Sequence, residues 1–232
     1  MIKNNKKFEN YLTLIVITIT KMNIFYLDFE TTGLNPYLSD IIEIAIKKKD
    51  EEPFYQTLVK PKKMPRGSLY RYIPPDIVGI TGITDKVVQK DGVKVSIAVY
   101  NMYRFIENNS EEGEPIYIVS HNGNSFDFIF FRRLISEYQK KDNTDINHQL
   151  IQSIRYIDTL LLAKIFTSKN ERLSQPKLCE KYKIVNEKEH RALGDIKALE
   201  QLYNILCKKY AEYKEKEENY YLEHPNEIEL FI

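Results

Sequence analysis

The chain has 232 residues, which is enough for one domain with a substantial core. Hydrophobic residues make up 43% and charged residues 29% of the sequence, a balance that excludes an intrinsically disordered chain. The 34 Lys and Arg residues against 33 Asp and Glu residues leave a formal net charge of +1. This excludes a protein that coats nucleic acid through its overall positive charge, although a local basic surface beside an acidic site is compatible with it.

The two cysteines and the N-terminus bear on the compartment. Cys179 and Cys207 lack the spacing of a zinc site or of a disulfide framework. They therefore favour a reducing, intracellular compartment, either cytoplasmic or nuclear. The longest apolar run, residues 12–19, is far shorter than the ~20 residues of a membrane span. Residues 1–22 are interpreted as an N-terminal extension. They could be a signal peptide, a segment ahead of a natural start at Met22, or an edge strand.

Apolar periodicity predicts alternating strands and helices. The predicted strands, in chain order, are residues 23–30, 41–48, 53–60, 115–120 and 149–157. The predicted helices are residues 76–83, 96–108, 126–140, 158–166, 177–182 and 191–209. The first three strands form an antiparallel meander, and Asp158 is expected to cap the helix that follows it. The order of the elements predicts an α/β domain with a mixed sheet flanked by helices.

Two carboxylates, Asp28 and Glu30, lie two residues apart in the apolar first strand. The period of two in a strand puts both side chains on the same face. Like charges at the end of a buried strand are costly unless a positive charge lies between them. Oxygen ligands of this kind suit Mg²⁺ or Mn²⁺. The alternative is that both carboxylates reach water or cap turn amides.

Two further acids and a histidine belong to the same argument. Asp127 lies among phenylalanines at the start of an amphipathic helix, and Asp195 lies in the C-terminal helix five residues after His190. Taken singly, Asp127 could cap its helix, Asp195 could be an exposed carboxylate, and His190 could be a surface histidine. The joint occurrence of these residues favours one shared site.

Three segments resemble the exonuclease motifs of the DEDD superfamily, the DnaQ-like group that includes the proofreading subunit of bacterial polymerase III and the TREX exonucleases. They read DFETTGL at 28–34, HNGNSFDF at 121–128 and HRALGD at 190–195. The spacing in the last motif resembles the DEDDh branch rather than the DEDDy branch. The resemblance covers about residues 23–209 and implies a ribonuclease H-like fold with a mixed five-stranded sheet. The expected domains are the extension at 1–22, an exonuclease domain at 23–210, and a charged helix end or tail at 211–232.

The resemblance also implies roles for individual residues. Two Mg²⁺ ions, or Mn²⁺, are held by four carboxylates: Asp28, Glu30, Asp127 and Asp195. His190 is the general base that takes a proton from the attacking water. The implied activity is metal-dependent 3′→5′ hydrolysis of DNA that releases nucleoside 5′-monophosphates, in proofreading or repair. Two alternatives stay open: an RNA exonuclease of the same fold, and a non-catalytic adaptor that binds nucleic acid or a polymerase.

The substrate contacts that the resemblance implies, on a single-stranded 3′ end, are Thr31, Gly33, Leu34, His121, Asn122 and Phe126. Apolar side chains stack on any base, although core packing is the alternative for Leu34 and Phe126. Basic segments at 60–72 and 169–177 could contact phosphates or be solvated loops. Residues 227–231 faintly resemble a clamp-binding peptide that lacks its leading glutamine, so a polymerase or sliding clamp is a further candidate partner. A docked terminal strand is the alternative there.

Overall fold

The structure is a computed structural model, and it describes residues 23–62, 73–140, 146–167, 171–186 and 190–223, with side chains up to residue 216. No helix within these ranges is long and apolar enough to cross a membrane. The predicted N-terminal extension, most of the basic segment at 60–72 and the clamp-like residues 227–231 lie outside the described residues.

A mixed sheet forms the centre of the domain. Its strands are β1 (Asn23–Thr31), β2 (Ile41–Lys48), β3 (Phe54–Lys60), β4 (Val93–Lys94), β5 (Ile116–Ser120) and β6 (Arg155–Asp158). Their order across the sheet is β4-β3-β2-β1-β5-β6. β1, β2 and β3 form the predicted antiparallel meander, and β5 and β6 run parallel to β1. The predicted fold class is confirmed. The sheet has one strand more than expected, because the two-residue β4 pairs with the edge of β3.

Helices cover both faces of this sheet. They are α1 (Pro75–Thr81), α2 (Asp85–Asp91), α3 (Val95–Asn108), α4 (Asp127–Gln139), α5 (His148–Ser153), α6 (Thr159–Lys164), α7 (Gln175–Tyr182) and α8 (Ala192–Glu223). The helix predicted at 191–209 runs on without a break to Glu223, so the expected domain boundary at residue 210 falls inside α8.

β1 is an inner strand of the sheet, with helices on both faces. The alternation of its side chains between the two faces determines where the site forms. Phe25 and Leu27 pack into the core cluster that contains α3 and α4. Ile24 and Tyr26 face the opposite way, into the cluster built with α8. The period of two then carries Asp28 to the α8 side of the sheet, at the point where the strand leaves the apolar core.

The predicted strand at 149–157 is wrong over its first half. Residues His148–Ser153 form α5, because the Asn147 side chain accepts hydrogen bonds from the amides of Gln149 and Leu150 and so caps a helix there. The strand is limited to β6. The predicted cap of the next helix is confirmed, since Asp158 Oδ1 accepts a hydrogen bond of 3.0 Å from Leu160 N.

Asp158 also holds the turn that leads into α4. Its two carboxylate oxygens accept hydrogen bonds from Asn122 N at 2.9 Å and Asn124 N at 3.1 Å. Asn122 has a left-handed backbone with φ of 59°, a conformation that needs support in a residue other than glycine. The buried carboxylate therefore fixes the path of the chain from β5 to Asp127.

We predict that Asp158→Ala lowers the free energy of unfolding by about 2–4 kcal/mol, because it leaves three part-buried backbone amides without their acceptor and removes a helix cap. Urea unfolding monitored by circular dichroism measures the change. Asp76→Ala is the control, since Asp76 is an exposed acid in the first turn of α1. An equal, small loss in both variants would contradict this role of Asp158.

Candidate metal centre and active site

Three carboxylates meet at the end of β1. Asp28 and Glu30 project from the strand, and Asp195 approaches from the first turn of α8. Each of the three offers an oxygen that lies within 4.8 Å of the other two. All three are half-buried. The structure thus brings together three of the four carboxylates that the sequence predicts as metal ligands.

The fourth carboxylate, Asp127, comes from the other side of the sheet as the first residue of α4. It is 3% exposed, and its Oδ1 accepts a hydrogen bond of 3.3 Å from Phe29 N. This contact seats Asp127 against the stretch of β1 between Asp28 and Glu30. Asp127 is therefore adjacent to the group of three, although it is not part of it.

Burial and mutual repulsion raise the pKa values of these acids. Burial, followed by the charges of Asp127, Glu30 and Asp195, raises the pKa of Asp28 well above its usual range. The pKa of Glu30 rises to about 7, through burial and then the neighbouring carboxylates, with Arg191 acting in the opposite direction.

Asp127 follows the same pattern. Burial is the main cause that raises its pKa to about 8, and hydrogen bonds from backbone amides act against the rise. Four carboxylates in this arrangement cannot all ionise at neutral pH without a compensating positive charge. Hard oxygen donors at this spacing fit a divalent cation.

His190 lies two residues before the start of α8 and five residues before Asp195. Its side chain is exposed and its backbone is left-handed, with φ of 61°. The imidazole is outside the carboxylate group that could hold a metal ion. This placement leaves it accessible to a water molecule or a substrate.

The predicted substrate contacts from the first motif lie on the loop after β1. Thr31 is buried, and its hydroxyl donates a hydrogen bond of 2.8 Å to Gly33 O. Leu34 is 84% exposed, so the alternative of core packing does not hold for it. The loop that carries Leu34 thus presents an apolar side chain to solvent four residues after Glu30.

The contacts predicted from the second motif differ from one another. Asn122 is exposed, whereas Phe126 is half-buried and packs edge-on against Phe130 with ring centroids 5.0 Å apart. Both ring nitrogens of His121 are engaged, with Thr159 Oγ1 at 2.9 Å and Leu173 O at 2.7 Å. Burial lowers the pKa of His121. The structure thus gives His121 a place inside the fold, and its contact with substrate stays a prediction.

Two residues that sequence reasoning missed hold Asp195. Asn186 Nδ2 donates a hydrogen bond of 2.7 Å to Asp195 Oδ1, and Gln175 Nε2 donates one of 2.9 Å to its backbone oxygen. They come from the loop before His190 and from the start of α7. Nothing in their own sequence context marks them, because the contacts exist only once α7 has packed beside α8.

The described parts of the two basic segments carry ion pairs. Lys62 pairs with Glu137 at 2.7 Å, and Lys177 pairs with Glu180 at 2.6 Å. These pairs are exposed and contribute little to stability. Phosphate binding by either segment stays a prediction.

We predict that the metal-free protein loses stability as the pH rises from about 5 to about 8. The folded state binds more protons than the unfolded state across this window, because the pKa values of Glu30 and Asp127 are raised to about 7 and about 8. Thermal unfolding in the presence of EDTA measures the effect, at about 2–4 °C of Tm per kcal/mol for a domain of this size. Mg²⁺ is expected to restore Tm at pH 8.

Asp28→Asn is the matched variant, because it removes one of the mutually repelling charges and keeps the shape of the side chain. Its Tm is expected to fall less steeply with pH than that of the wild type. A Tm that rises from pH 5 to pH 8 in EDTA, or an unchanged slope in Asp28→Asn, would rule out the repulsion described above.

Comparison with known proteins places this geometry in a family. A model of the exonuclease family RNase_T matches residues 25–203. The chain is 33% identical over 180 residues to the PolC-type DNA polymerase III of Thermotoga petrophila, covering 76% of this chain and 11% of that protein. It is 28% identical over 191 residues to Exonuclease DPD1, chloroplastic/mitochondrial, of Arabidopsis thaliana, covering 77% and 54%. The chain thus spans between about a tenth and about half of the length of these relatives.

Solved structures show the same fold. Exonuclease I of E. coli in complex with a dT13 oligonucleotide superposes with a TM-score of 0.62 at 16% identity, covering 80% of this chain and 41% of that one. The zinc-bound form of the same enzyme with single-stranded DNA gives a TM-score of 0.64 at 18% identity, covering 82% and 41%. The expected ribonuclease H-like fold is therefore confirmed. Because the family model covers most of the residues from β1 to the middle of α8, the chain belongs to the RNase_T exonuclease family, within the DnaQ-like group.

Proposed function

We propose that the protein is a metal-dependent 3′→5′ exonuclease that hydrolyses phosphodiester bonds at the 3′ end of single-stranded DNA and releases nucleoside 5′-monophosphates. The observation that carries this proposal is the convergence of Asp28, Glu30 and Asp195, with oxygens within 4.8 Å of one another, in a chain of an exonuclease family. Asp127, against β1, adds the fourth carboxylate.

The four carboxylates would hold divalent cations, and two Mg²⁺ ions are the proposed complement, with Mn²⁺ as the alternative. Four negative charges exceed what one divalent ion offsets, which favours two. When bound, such ions would supply the positive charge that activates a water molecule and stabilises the leaving oxygen. The protein contributes the fixed positions of its oxygens, which Asn186 and the amide of Phe29 support through the hydrogen bonds to Asp195 and Asp127.

His190 is the proposed general base. An imidazole is the side chain best suited to accept a proton near neutral pH. Its side chain is exposed and precedes Asp195 by five residues, which supports its role as the acceptor of a proton from a water molecule beside the carboxylates. It would take the proton from that water and release it to solvent.

DNA is the proposed substrate, on the support of two observations. The structural relatives include Exonuclease I bound to a dT13 oligonucleotide and to single-stranded DNA. Leu34 is exposed four residues after Glu30, and an apolar side chain there can stack on any terminal base. The other proposed contacts are Thr31, Gly33, Asn122, Phe126 and His121.

Proofreading or repair is the proposed setting. The similarity to PolC-type polymerases supports proofreading in association with a polymerase or a sliding clamp. The similarity to Exonuclease DPD1, whose match covers about half of that protein, supports an exonuclease that acts without a polymerase domain in the same chain.

We predict that the wild type shortens a 5′-labelled single-stranded DNA from its 3′ end in Mg²⁺, and that EDTA or Asp28→Asn reduces the rate to background. The physical reason is that metal binding needs the full set of carboxylates. Gel electrophoresis of the labelled products measures the rate, and Asp76→Asn is the control for the loss of an unrelated acid. Equal rates in the wild type and Asp28→Asn would refute the assigned site.

A matched RNA of the same sequence tests the substrate. Faster shortening of the RNA would overturn the proposal of DNA and favour the RNA exonuclease.

His190→Ala is expected to lower the rate about 10²–10⁴-fold while Mn²⁺ still binds, since His190 is not one of the carboxylate ligands.

A further inference from the structure

Glu43 is a buried acid outside the group of proposed metal ligands. It lies on β2 directly opposite Glu30 in the strand register, and its side chain is 1% exposed. A buried carboxylate is costly unless its charge is paired and its oxygens are hydrogen-bonded. The partners of Glu43 therefore show what the residue does in the fold.

Both oxygens of Glu43 accept hydrogen bonds. Arg191 donates from Nη2 to Oε1 at 2.7 Å and from Nε to Oε2 at 3.2 Å, which is a two-pronged contact. Ala192 N donates to Oε2 at 3.1 Å, and Gln56 Nε2 donates to Oε1 at 2.9 Å. One carboxylate thus joins β2 and β3 to the start of α8.

Glu43 holds the two residues that follow His190, namely Arg191 and Ala192, the first residue of α8. His190 has a left-handed backbone, which costs about 1–2 kcal/mol for a residue with a β-carbon. A conformation of that kind persists only where its surroundings fix it. The hydrogen bonds of Glu43 with Arg191 and with the amide of Ala192 fix the backbone immediately after His190.

The same hydrogen bonds of Glu43 hold the start of the first turn of α8. Asp195 N donates to Arg191 O at 3.1 Å, so the helix that carries Asp195 begins at the residue that Glu43 holds. Without this anchor, the segment from His190 to the helix would have fewer contacts that hold it against the sheet.

We propose that Glu43 is a positioning residue for the reaction: through Arg191 and the amide of Ala192 it sets the backbone of His190 and thereby aims the imidazole at the carboxylate site. Glu43 touches neither substrate nor ions in this role. The inference rests on the proposed function, because it assigns His190 as the base.

The chain offers a matched control in a second ion pair between β2 and α8. Lys47 Nζ lies 2.8 Å from Glu200 Oε2, and Glu200 Oε1 accepts a hydrogen bond of 2.9 Å from Asp50 N. This pair also joins strand to helix through a largely buried carboxylate, but five residues beyond Asp195. Loss of the Glu200 carboxylate therefore measures the effect of removing an ion pair between strand and helix that does not contact the residues next to His190.

The experiment compares Glu43→Gln with Glu200→Gln in the full chain. Both variants are expected to lower Tm. Only Glu43→Gln is expected to lower kcat, by about 10–100-fold, with KM little changed because the exposed face of Leu34 is untouched. Equal kcat values in the two variants would overturn the proposal.

A double-mutant cycle tests whether Glu43 acts through His190. Most of the effect of Glu43→Gln on kcat is expected to disappear in a His190→Ala background. A residue that acts by positioning the His190 imidazole can no longer affect kcat once that imidazole is removed. An effect of full size in that background would show that Glu43 acts by another route.

An NMR readout is independent of activity. The imidazole Cε1–H signal of His190, one of four histidines, can be assigned from its loss in His190→Gln. We expect Glu43→Gln to move this signal and Glu200→Gln to leave it in place. An unmoved signal in Glu43→Gln refutes the positioning role even if the wild type has no exonuclease activity, whereas the inactivity of the wild type refutes the proposed function alone.

Arg191→Lys keeps the test decisive if Glu43→Gln fails to fold. The Arg191 side chain is 42% exposed, and lysine retains the charge while losing the two-pronged geometry. The same fall in kcat and the same shift of the His190 signal are expected. A wild-type value for both would contradict the proposal.

Discussion

The burial of carboxylates close to one another at the end of β1 is the constraint on which the rest of the site depends. Asp28 and Glu30 face α8 because Ile24 and Tyr26 do, and the strand alternates without a break through the core. Asp195 adds a third negative charge on that face, and Asp127 adds a fourth beside it. The metal-free fold is therefore destabilised when these carboxylates ionise, and bound protons or cations remove that cost.

Other parts of the fold hold these charges in place. Asp158 fixes the turn before α4 and so sets Asp127, while Asn186 sets the carboxylate of Asp195. Glu43 ties the start of α8 to the sheet. The contacts of Asp158 and Glu43 join segments that are far apart in sequence. Glu43 holds the two residues after His190, Asn186 bonds Asp195 itself, and Asp158 bonds the amide of Asn124, three residues before Asp127. A site of this kind needs such support because its own members repel one another.

Sequence reasoning reached the parts of the structure that local patterns encode. The period of two in β1 was enough to put Asp28 and Glu30 on one face, and the three motifs marked Asp127, His190 and Asp195. The strand predicted at residues 149–153 was wrong, because the side chain of Asn147 caps a helix there. Glu43 and His121 illustrate a different limit, because their roles follow from hydrogen bonds to residues far along the chain, which no local pattern encodes.

The near-neutral net charge also has a structural explanation, since acids gathered at one site offset basic residues elsewhere on the chain. The most direct test of the central claim is calorimetric titration of the protein with Mn²⁺ at pH 6.5, in buffers of different ionisation enthalpy. The carboxylates with raised pKa values must lose protons as the metal binds. We expect Mn²⁺ binding to release protons in the wild type and to be strongly weakened in Asp28→Asn. Binding without proton release, or equal binding by both proteins, would contradict the account.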